Sequence, residues 1–402
     1  MDDFGVTLRR HRKTASMSLR DLGEAANLDW SYLSQVERGV RKPTESLAAA
    51  CDRALDAGGA LIAAWQQQAG TDMRRRTILG AMSALAGAAA VGPHINMEAL
   101  RHGLGAAVGG VDEWQRIVAD YGVDFYRLPA DTLAEQLTAD LTVLQHQIAA
   151  ADGTQRAGLL RAAAHLSVIV ALGLVAAGQG WQARRWWASA QRVADESGDR
   201  GTMLLSRAWD VVNGSYDGRD PHAVVEASAE ALPLIGGRAS SAACGLLAGH
   251  AQALALAGRH TEAAATVRQL SDLAERLPAS VTGDVESLWG WPAHRVHHTA
   301  SWVYTHAGRL REAEQAQDAA LSMYPASQAR LRAQVELHRA ACLIRSGHVP
   351  DGLRHAAGQL DRLPAEHHNG LLRTVARHVV DAVPEAERRR PAYGELTARV
   401  GV

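Results

Sequence analysis

The chain has 402 residues, enough for two or more hydrophobic cores, so a small domain beside a larger one is expected. Its formal net charge of −1 excludes any argument for nucleic-acid binding from overall charge, and such binding has to rest on local features. The cysteines Cys51, Cys244 and Cys342 are far apart and match no metal or disulfide spacing, which indicates buried thiols in a reducing cytosol.

Two short helices joined by a tight turn are predicted between residues 18 and 42. Ser18 and Asp29 suit the N-caps of these helices, and Gly39 suits the left-handed residue that ends the second. Apolar residues recur with a helical period on the face that we expect to be buried: Leu19, Leu22, Ala25, Leu28, Leu33 and Val36. The second helix keeps a polar outer face, and a helix-turn-helix presents such a face to the major groove of DNA.

Further helices are predicted on both sides of this pair. Residues 3–14 form a helix with Phe4 and Leu8 inward and its basic side chains outward, namely Arg9, Arg10, Arg12 and Lys13. After Pro43, Thr44 can cap a helix over residues 45–57, and residues 60–68 form a fifth helix. The sequence therefore predicts one small helical domain over residues 1–70.

This domain resembles the lambda-repressor-like family, often called the XRE type. The resemblance rests on Leu8-Arg9-x-x-Arg12, Ser18-Leu19-x-x-Leu22, Leu28, Leu33-Ser34-x-Val36-Glu37-Arg38-Gly39 and Arg41-x-Pro43-Thr44. It implies a five-helix domain that reads double-stranded operator DNA with the start of its third helix. The implied base-reading residues are Trp30, Ser31, Ser34 and Gln35, and the implied phosphate contacts are Arg20, Arg38, Arg41 and Lys42.

Two positions depart from the family pattern. Leu19 and Arg20 stand where family members often carry glutamine, at the start of the second helix. Trp30 is bulky for a base-reading position, so packing on the DNA backbone or on a thymine methyl is the alternative for this side chain.

A different kind of segment follows at residues 71–94. Three arginines, residues 74–76, precede an apolar run rich in Ala and Gly over residues 78–91, a pattern that resembles a twin-arginine export signal. The run lies behind a folded domain, where an export signal would not be read, and it is shorter than the roughly 20 residues that a membrane span needs. We therefore predict a linker helix that packs closely against another helix, with a dimer seam included, and no stable membrane insertion. Weak membrane association is the alternative.

From about residue 95 the pattern is helical, and a glycine recurs at the predicted bends between paired helices: Gly178, Gly218, Gly258, Gly308 and Gly347. Five residues after each glycine stands a small residue that lets the two helices of a pair approach closely: Ala183, Ala223, Ala263, Ala313 and Gly352. The unit Gly308-x4-Ala313-x6-Ala320-x4-Pro325 resembles the second helix of a tetratricopeptide repeat. The predicted fold class is therefore all-α, with a degenerate tetratricopeptide-like α-solenoid over residues 95–402, and an irregular helical bundle is the alternative.

Tryptophans concentrate in the repeat region, among them Trp181, Trp186, Trp187, Trp209, Trp289, Trp291 and Trp302. We interpret most of them as wedges between helix pairs, and an aromatic-lined ligand groove is the alternative. The candidates for such a groove are Trp289, Trp291, Arg295 and His298. The histidines of this segment fit no recognised ligand spacing, so we predict no metal site and no cofactor.

The chain shows no P-loop, no glycine-rich phosphate turn after a strand and no Gly-x-Ser-x-Gly elbow, so we do not expect an enzyme. Its two-part layout resembles actinomycete regulators that join an XRE domain to repeats, and also the peptide-responsive regulators of Gram-positive bacteria. This resemblance implies a cytoplasmic, nucleoid-associated transcription regulator that forms a homodimer and responds to a small peptide or metabolite. Two alternatives are a scaffold recruited to DNA and a repressor whose repeats serve only for oligomerisation.

Overall fold

The computed structural model describes residues 4–65, 110–364 and 367–401. Every regular element in these residues is a helix, so the chain has the all-α fold that its sequence predicts. The chain divides into two compact units, Met1–Gly92 and Pro93–Val402. The linker helix predicted over residues 71–94 lies outside the described residues.

Residues 4–65 of the first unit contain four complete helices, and residues 60–65 begin a further one. The four are α1 (Phe4–Thr14), α2 (Leu19–Ala26), α3 (Trp30–Glu37) and α4 (Glu45–Ala54). Their buried side chains form one core: Phe4, Leu8, Leu22, Leu33, Val36, Leu47, Ala48, Cys51 and Leu61. This core contains most of the apolar residues that the helical period selects.

The three predicted N-caps of this unit are confirmed. The Ser18 hydroxyl accepts from the Asp21 N–H while the Asp21 carboxylate accepts from the Ser18 N–H, which is a complete capping box. Asp29 caps α3 and Thr44 caps α4, each through side-chain oxygens that accept from backbone N–H groups. Gly39 has a φ of 70°, the left-handed conformation predicted after α3.

Three details of the first unit differ from the prediction. Ala25 is exposed, because the close packing of α2 is made by Gly23, where an added Cβ would lie 2.7 Å from the Leu28 carbonyl oxygen. α4 ends at Ala54 and not at residue 57, since Asp56 takes the left-handed conformation with a φ of 46°. Arg12 was expected outward, but it is largely buried and pairs with Glu37.

The second unit is built from helices that pack mainly on their neighbours in the chain. They are α5 (Val111–Arg127), α6 (Ala130–Ala150), α7 (Gly153–Ala176), α8 (Gly180–Ser197), α9 (Arg200–Gly214), α10 (Pro221–Ala231), α11 (Ser241–Leu256), α12 (His260–Ala274), α13 (Ala279–Thr282), α14 (Ala293–His306), α15 (Leu310–Met323), α16 (Ala329–Arg345), α17 (Val349–Arg362), α18 (Gly370–Asp381) and α19 (Pro391–Val400). Three short 3₁₀ turns join some of them, at Leu232–Ile235, Ala326–Gln328 and Glu385–Glu387.

All five glycines predicted at bends lie between consecutive helices with a positive φ. The angles are 77° at Gly178, 80° at Gly218, 76° at Gly258, 67° at Gly308 and 89° at Gly347. At the Gly258 bend the N–H of Arg259 donates to the Leu254 carbonyl oxygen at 2.9 Å, a helix-ending bond that requires a left-handed residue before its donor. The glycines therefore end one helix of a pair and direct the chain into the next.

The small residues five positions later are buried in four of the five pairs. Ala183, Ala263 and Ala313 are each 0% exposed, and a Cβ added to Gly352 would lie 2.5 Å from Ile344 Cγ1. Ala223 is exposed, so the expectation fails at that position. The cause is a shift of one residue: α10 begins at Pro221, three residues after its glycine, whereas the other second helices begin two residues after theirs. Val224 is buried in place of Ala223.

One described helix, α7, is long and apolar enough to span a membrane, and 67% of its most apolar window is buried inside the protein. Core helices of globular proteins commonly share these properties, so α7 is weak evidence for a membrane protein. Its small and branched residues pack against α8, and both helices contribute to a core that includes the fully buried Trp187. α7 is accordingly described as a core helix of the second unit.

Candidate nucleic-acid interface and ligand cavity

The residues expected to face DNA lie on the exposed side of α3 and the loop after it. Ser31, Ser34 and Gln35 are spaced by three and four residues, so they share one face of the helix. Leu33 and Val36, at 0% and 2% exposure, hold the opposite face in the core. α3 therefore presents two hydroxyl groups and one carboxamide on its outer face, and the buried leucine and valine fix its orientation.

Asp29 organises the N-terminus of α3. Its carboxylate accepts from the N–H groups of Ser31 and Tyr32, at 2.8 and 3.0 Å, and from the Ser31 hydroxyl. These hydrogen bonds, with that of the Ser31 hydroxyl the largest cause, lower the pKa of Asp29. Because the Ser31 hydroxyl donates its hydrogen to Asp29, its oxygen can still accept a hydrogen bond from another molecule. Hydrogen-bond donors to groups outside the protein must come from other residues of this face.

Trp30 is 48% exposed and is not part of the core. The Arg20 guanidinium carbon lies 5.4 Å from the centre of the Trp30 ring, within the range of a cation–π contact. Arg20 and Trp30 therefore act as one surface feature across the turn between α2 and α3, and not as two separate contacts. The bulk noted for Trp30 in the sequence is accommodated by this pairing.

The basic residues after α3 fold back onto this helix. The Arg38 Nε donates to the Ser34 carbonyl oxygen at 3.2 Å, and the Arg41 guanidinium carbon lies 5.1 Å from the ring centre of Tyr32. Arg38, Arg41 and Lys42 are all exposed. Guanidinium and ammonium groups in such positions are suited to DNA phosphates, which supply most of the sequence-independent affinity of DNA-binding proteins.

An ion pair that was not predicted from the sequence fixes the C-terminal end of α3. Arg12 of α1 makes two hydrogen bonds to the Glu37 carboxylate, Nε to Oε1 at 2.7 Å and Nη2 to Oε2 at 2.8 Å. A third guanidinium nitrogen, Nη1, donates to the Met17 carbonyl oxygen at 2.9 Å. The hydrogen bond from Glu37 raises the pKa of Arg12, so the guanidinium is charged at neutral pH. One buried bidentate contact thus ties α1 to the end of α3.

A cavity of about 140 Å³ lies in the second unit and is lined mainly by aromatic and aliphatic side chains. All four residues proposed from the sequence for a ligand groove line it: Trp289, Trp291, Arg295 and His298. The structure therefore brings these residues together around one space. It also adds lining residues that the sequence interpretation missed, among them Tyr126, Trp209, Gln252, Tyr324, Arg330 and Gln334.

The segment before α14 is held in place by its polar contacts. Trp289 Nε1 donates to the Val118 carbonyl oxygen at 2.8 Å, and Gly122 makes room for the indole, since a Cβ there would lie 2.4 Å from it. Arg295 donates to the carbonyl oxygens of Ser287, Leu288 and Gly290 and to the Tyr126 hydroxyl. Arg295 therefore orders one wall of the cavity and also places a positive charge in it.

His298 is 8% exposed, and its Nδ1 lies 2.8 Å from the Tyr324 hydroxyl oxygen. Burial, with smaller contributions from His294 and Arg295, lowers the pKa of His298 to about 4. The imidazole is consequently neutral at pH 7 and contributes a dipole, not a charge, to the cavity. Among the described residues, no group of three or more His, Cys, Asp or Glu side chains is arranged to hold a metal ion.

Comparisons with known proteins concern the first unit. Residues 3–65 match the family described as a helix-turn-helix domain, which confirms this part of the predicted architecture. Two proteins from two strains of Mycobacterium tuberculosis, each named an uncharacterized HTH-type transcriptional regulator, are 43% identical to this chain over 51 residues. That match covers 13% of this chain and 36% of each relative. No solved structure matches the chain significantly.

The comparisons and the geometry agree on where the helix-turn-helix lies, since the matched residues contain α1 to α4. The tetratricopeptide-like nature of the second unit stays a prediction. The helix pairs and their glycine bends give that unit a repeat-like character without assigning it to a family.

Proposed function

We propose that this protein is a sequence-specific DNA-binding transcription regulator. In this proposal α3 enters the major groove, and Ser31, Ser34 and Gln35 read base edges. Arg20, Arg38, Arg41 and Lys42 contact phosphates and set the register on the duplex. The observation that carries the proposal is the capped, core-anchored α3 with its exposed polar face, inside residues that match a helix-turn-helix domain.

Trp30 has a positioning role in this proposal. Its exposed ring, covered on one side by Arg20, packs on the sugar-phosphate backbone or on a thymine methyl at the edge of the site. The names of the two mycobacterial relatives support regulation of transcription as the purpose of DNA binding, although the match spans about a third of their length.

We further propose that the protein acts as a homodimer in the bacterial cytoplasm, bound to the nucleoid. A single helix-turn-helix unit makes few contacts, and a dimer reading two half-sites about 34 Å apart doubles them. The second unit is the proposed dimer-forming part and the proposed receiver of a regulatory ligand. Its cavity is the feature that supports ligand control in preference to a scaffold without an effector.

Selection from a pool of random duplex DNA with the full-length protein tests the proposal. Retained fragments should share one motif with two inverted half-sites, separated centre to centre by about one helical turn or a multiple of it. A matched selection with the Gln35→Ala variant serves as the control and should enrich the motif less strongly. Retention of DNA without any shared motif would reject sequence-specific binding.

A further inference from the structure

The cavity of the second unit has the size of a small ring compound. Its volume of about 140 Å³ is close to the roughly 150 Å³ of engineered apolar cavities that take up benzene. Seven of the lining residues are aromatic: Phe125, Tyr126, Trp209, Tyr216, Trp289, Trp291 and Tyr324.

The charges around the cavity are of one sign. Arg295 and Arg330 line it, and none of the described residues that line it is an aspartate or glutamate. Burial lowers the pKa of Arg330, which is the expected response of a cation removed from water without a carboxylate beside it. A bound anion would offset this desolvation.

Three residues that line the cavity also carry a buried donor nitrogen without a hydrogen-bond partner among the described residues. They are Trp291 Nε1, Arg330 Nε and Gln334 Nε2. Indole and guanidinium nitrogens only donate, so two of the three donors do not depend on how an amide is oriented. Buried donors without partners are rare in folded proteins and are commonly satisfied by a bound molecule or water.

We propose that this cavity binds an organic anion with one ring and one carboxylate, the carboxylate at Arg330 and the ring among the aromatic side chains. The donors of Trp291 and Gln334 complete the binding of the carboxylate oxygens. Arg295 supplies a second positive charge while its nitrogens hold the segment before α14. A ligand of this class would be the effector of the proposed regulator, so its role in regulation rests on the proposed function.

Calorimetric titration of the full-length protein with three probes tests the ligand class. Benzoate has both ring and charge, benzamide has the ring alone, and acetate has the charge alone. Benzoate is expected to bind at least about tenfold more tightly than either of the others, because charge-assisted hydrogen bonds exceed neutral ones and the ring adds apolar burial. Equal affinity for benzoate and benzamide, tighter binding of acetate, or no binding of any probe would overturn the proposal.

Arg330→Met tests the assigned residue. It should weaken benzoate binding at least about tenfold and leave benzamide binding unchanged, whereas Arg330→Lys should retain most of the benzoate affinity. The control is Arg354→Met, which makes the same charge change at a side chain that is 75% exposed and paired with Asp351. Unchanged benzoate affinity in Arg330→Met would overturn the assignment.

The melting temperature of the protein without ligand separates a ligand-binding arginine from a structural one. Arg330→Met should melt at the wild-type temperature or above, since it removes a largely buried cation that has no carboxylate beside it in the described part of the chain. A large drop in melting temperature would mean that Arg330 supports the fold.

The ligand site and the proposed function can fail separately. If the protein binds benzoate but enriches no DNA motif, the proposed regulator is rejected and the ligand site stands. If it enriches a DNA motif but does not bind benzoate, only the ligand site is rejected.

Discussion

At the scale of single residues, the pairing of Arg12 with Glu37 sets the position of α3, the helix that we propose to face DNA. Both side chains are largely withdrawn from water, at 12% and 6% exposure, and the contact is bidentate. Such a pair is costly to break from one side, because the remaining charge stays buried without its partner. Removal of one partner should therefore cost more than removal of one partner of an exposed salt bridge.

Glu37→Gln is expected to lower the free energy of unfolding of the first unit by about 2–3 kcal/mol, since it leaves the Arg12 charge without a carboxylate. Hydrogen exchange of peptides from residues 4–65, followed across a urea series in the full-length protein, measures this quantity. Arg9→Met, at an exposed position of the same helix, is the control and should change it by less than about 0.5 kcal/mol. Equal effects of the two changes would contradict the structural role of the pair.

The residue scale also shows where sequence reasoning ended. The polar face of α3 follows from helical spacing alone, so its members could be proposed from the sequence. The burial of Arg12 could not be predicted. Arg12 lies among other basic residues, a pattern that indicates a solvated helix face, and its partner Glu37 is 25 residues away in the sequence. Arg330 and Gln334 lie four residues apart on one face of α16, so their spacing could have grouped them in the sequence.

At the scale of helices, the second unit depends on glycine in two different ways. At Gly308 the backbone is left-handed, with a φ of 67°, while the space around an added Cβ is open. At Gly352 an added Cβ would lie 2.5 Å from Ile344 Cγ1 and 2.7 Å from the Ala340 carbonyl oxygen. The first position requires glycine for its conformation, and the second requires it for the close approach of α16 and α17.

Three glycine-to-alanine changes should therefore have three different effects on the free energy of unfolding. Gly308→Ala should lower it by about 1 kcal/mol through backbone strain. Gly352→Ala should lower it by about 2–3 kcal/mol, because the helices have to separate. Gly173→Ala should raise it by about 0.5–1 kcal/mol, since that residue lies inside α7 and, apart from its own helix turn, no described residue comes within 4 Å of the new methyl group.

Urea denaturation of the three variants, followed by circular dichroism, measures these differences. If all three changes alter the free energy of unfolding by the same amount, backbone strain, close contact and helix propensity do not act separately at these glycines. The helix pairs themselves were predictable, because the glycines that end helices are visible in the sequence. The register of α10 was not, since whether a helix starts two or three residues after its glycine depends here on Asp220, which caps it, and on Pro221.

At the scale of the whole molecule, the second unit encloses histidines that are neutral at pH 7. His306, His338 and His378 pack around the fully buried Trp302 at ring-centre distances of 4.8, 5.6 and 5.2 Å, and His298 packs against His338 at 5.4 Å. Burial lowers the pKa of all four, to about 4 for His298 and His378 and to about 3 for His306.

These shifts predict a loss of stability in acid. In the unfolded chain each histidine takes up a proton near pH 6.5, and in the folded protein it does so only at lower pH. The unfolded state therefore binds more protons between about pH 4 and 6.5, and the free energy of unfolding falls as the pH drops through this window. Each such histidine contributes a slope of up to about 1.4 kcal/mol per pH unit.

Replacing one histidine tests this prediction. His338→Gln should make the dependence of unfolding free energy on pH shallower between pH 6 and 4.5 by about 1 kcal/mol per unit, measured by urea denaturation at a series of pH values. His222→Gln, at an exposed position, is the control and should keep the wild-type slope. An unaltered slope in His338→Gln would contradict the assignment of acid sensitivity to this cluster.

In the proposed function α3 reads DNA, and the residues around it anchor the protein to phosphates. The most direct test measures the affinity of the full-length protein for its selected site and for a scrambled duplex, across a range of salt concentrations. Gln35→Ala should reduce the preference for the selected site by about 1–3 kcal/mol and leave the salt dependence unchanged. Arg41→Ala should weaken binding to both duplexes alike and reduce the salt slope by about one.

These two variants separate base reading from phosphate contact in one experiment. Specificity should fall in Gln35→Ala, and overall affinity should fall in Arg41→Ala. Wild-type specificity and salt slope in both variants would contradict the central claim that α3 and the loop after it form the DNA-reading surface.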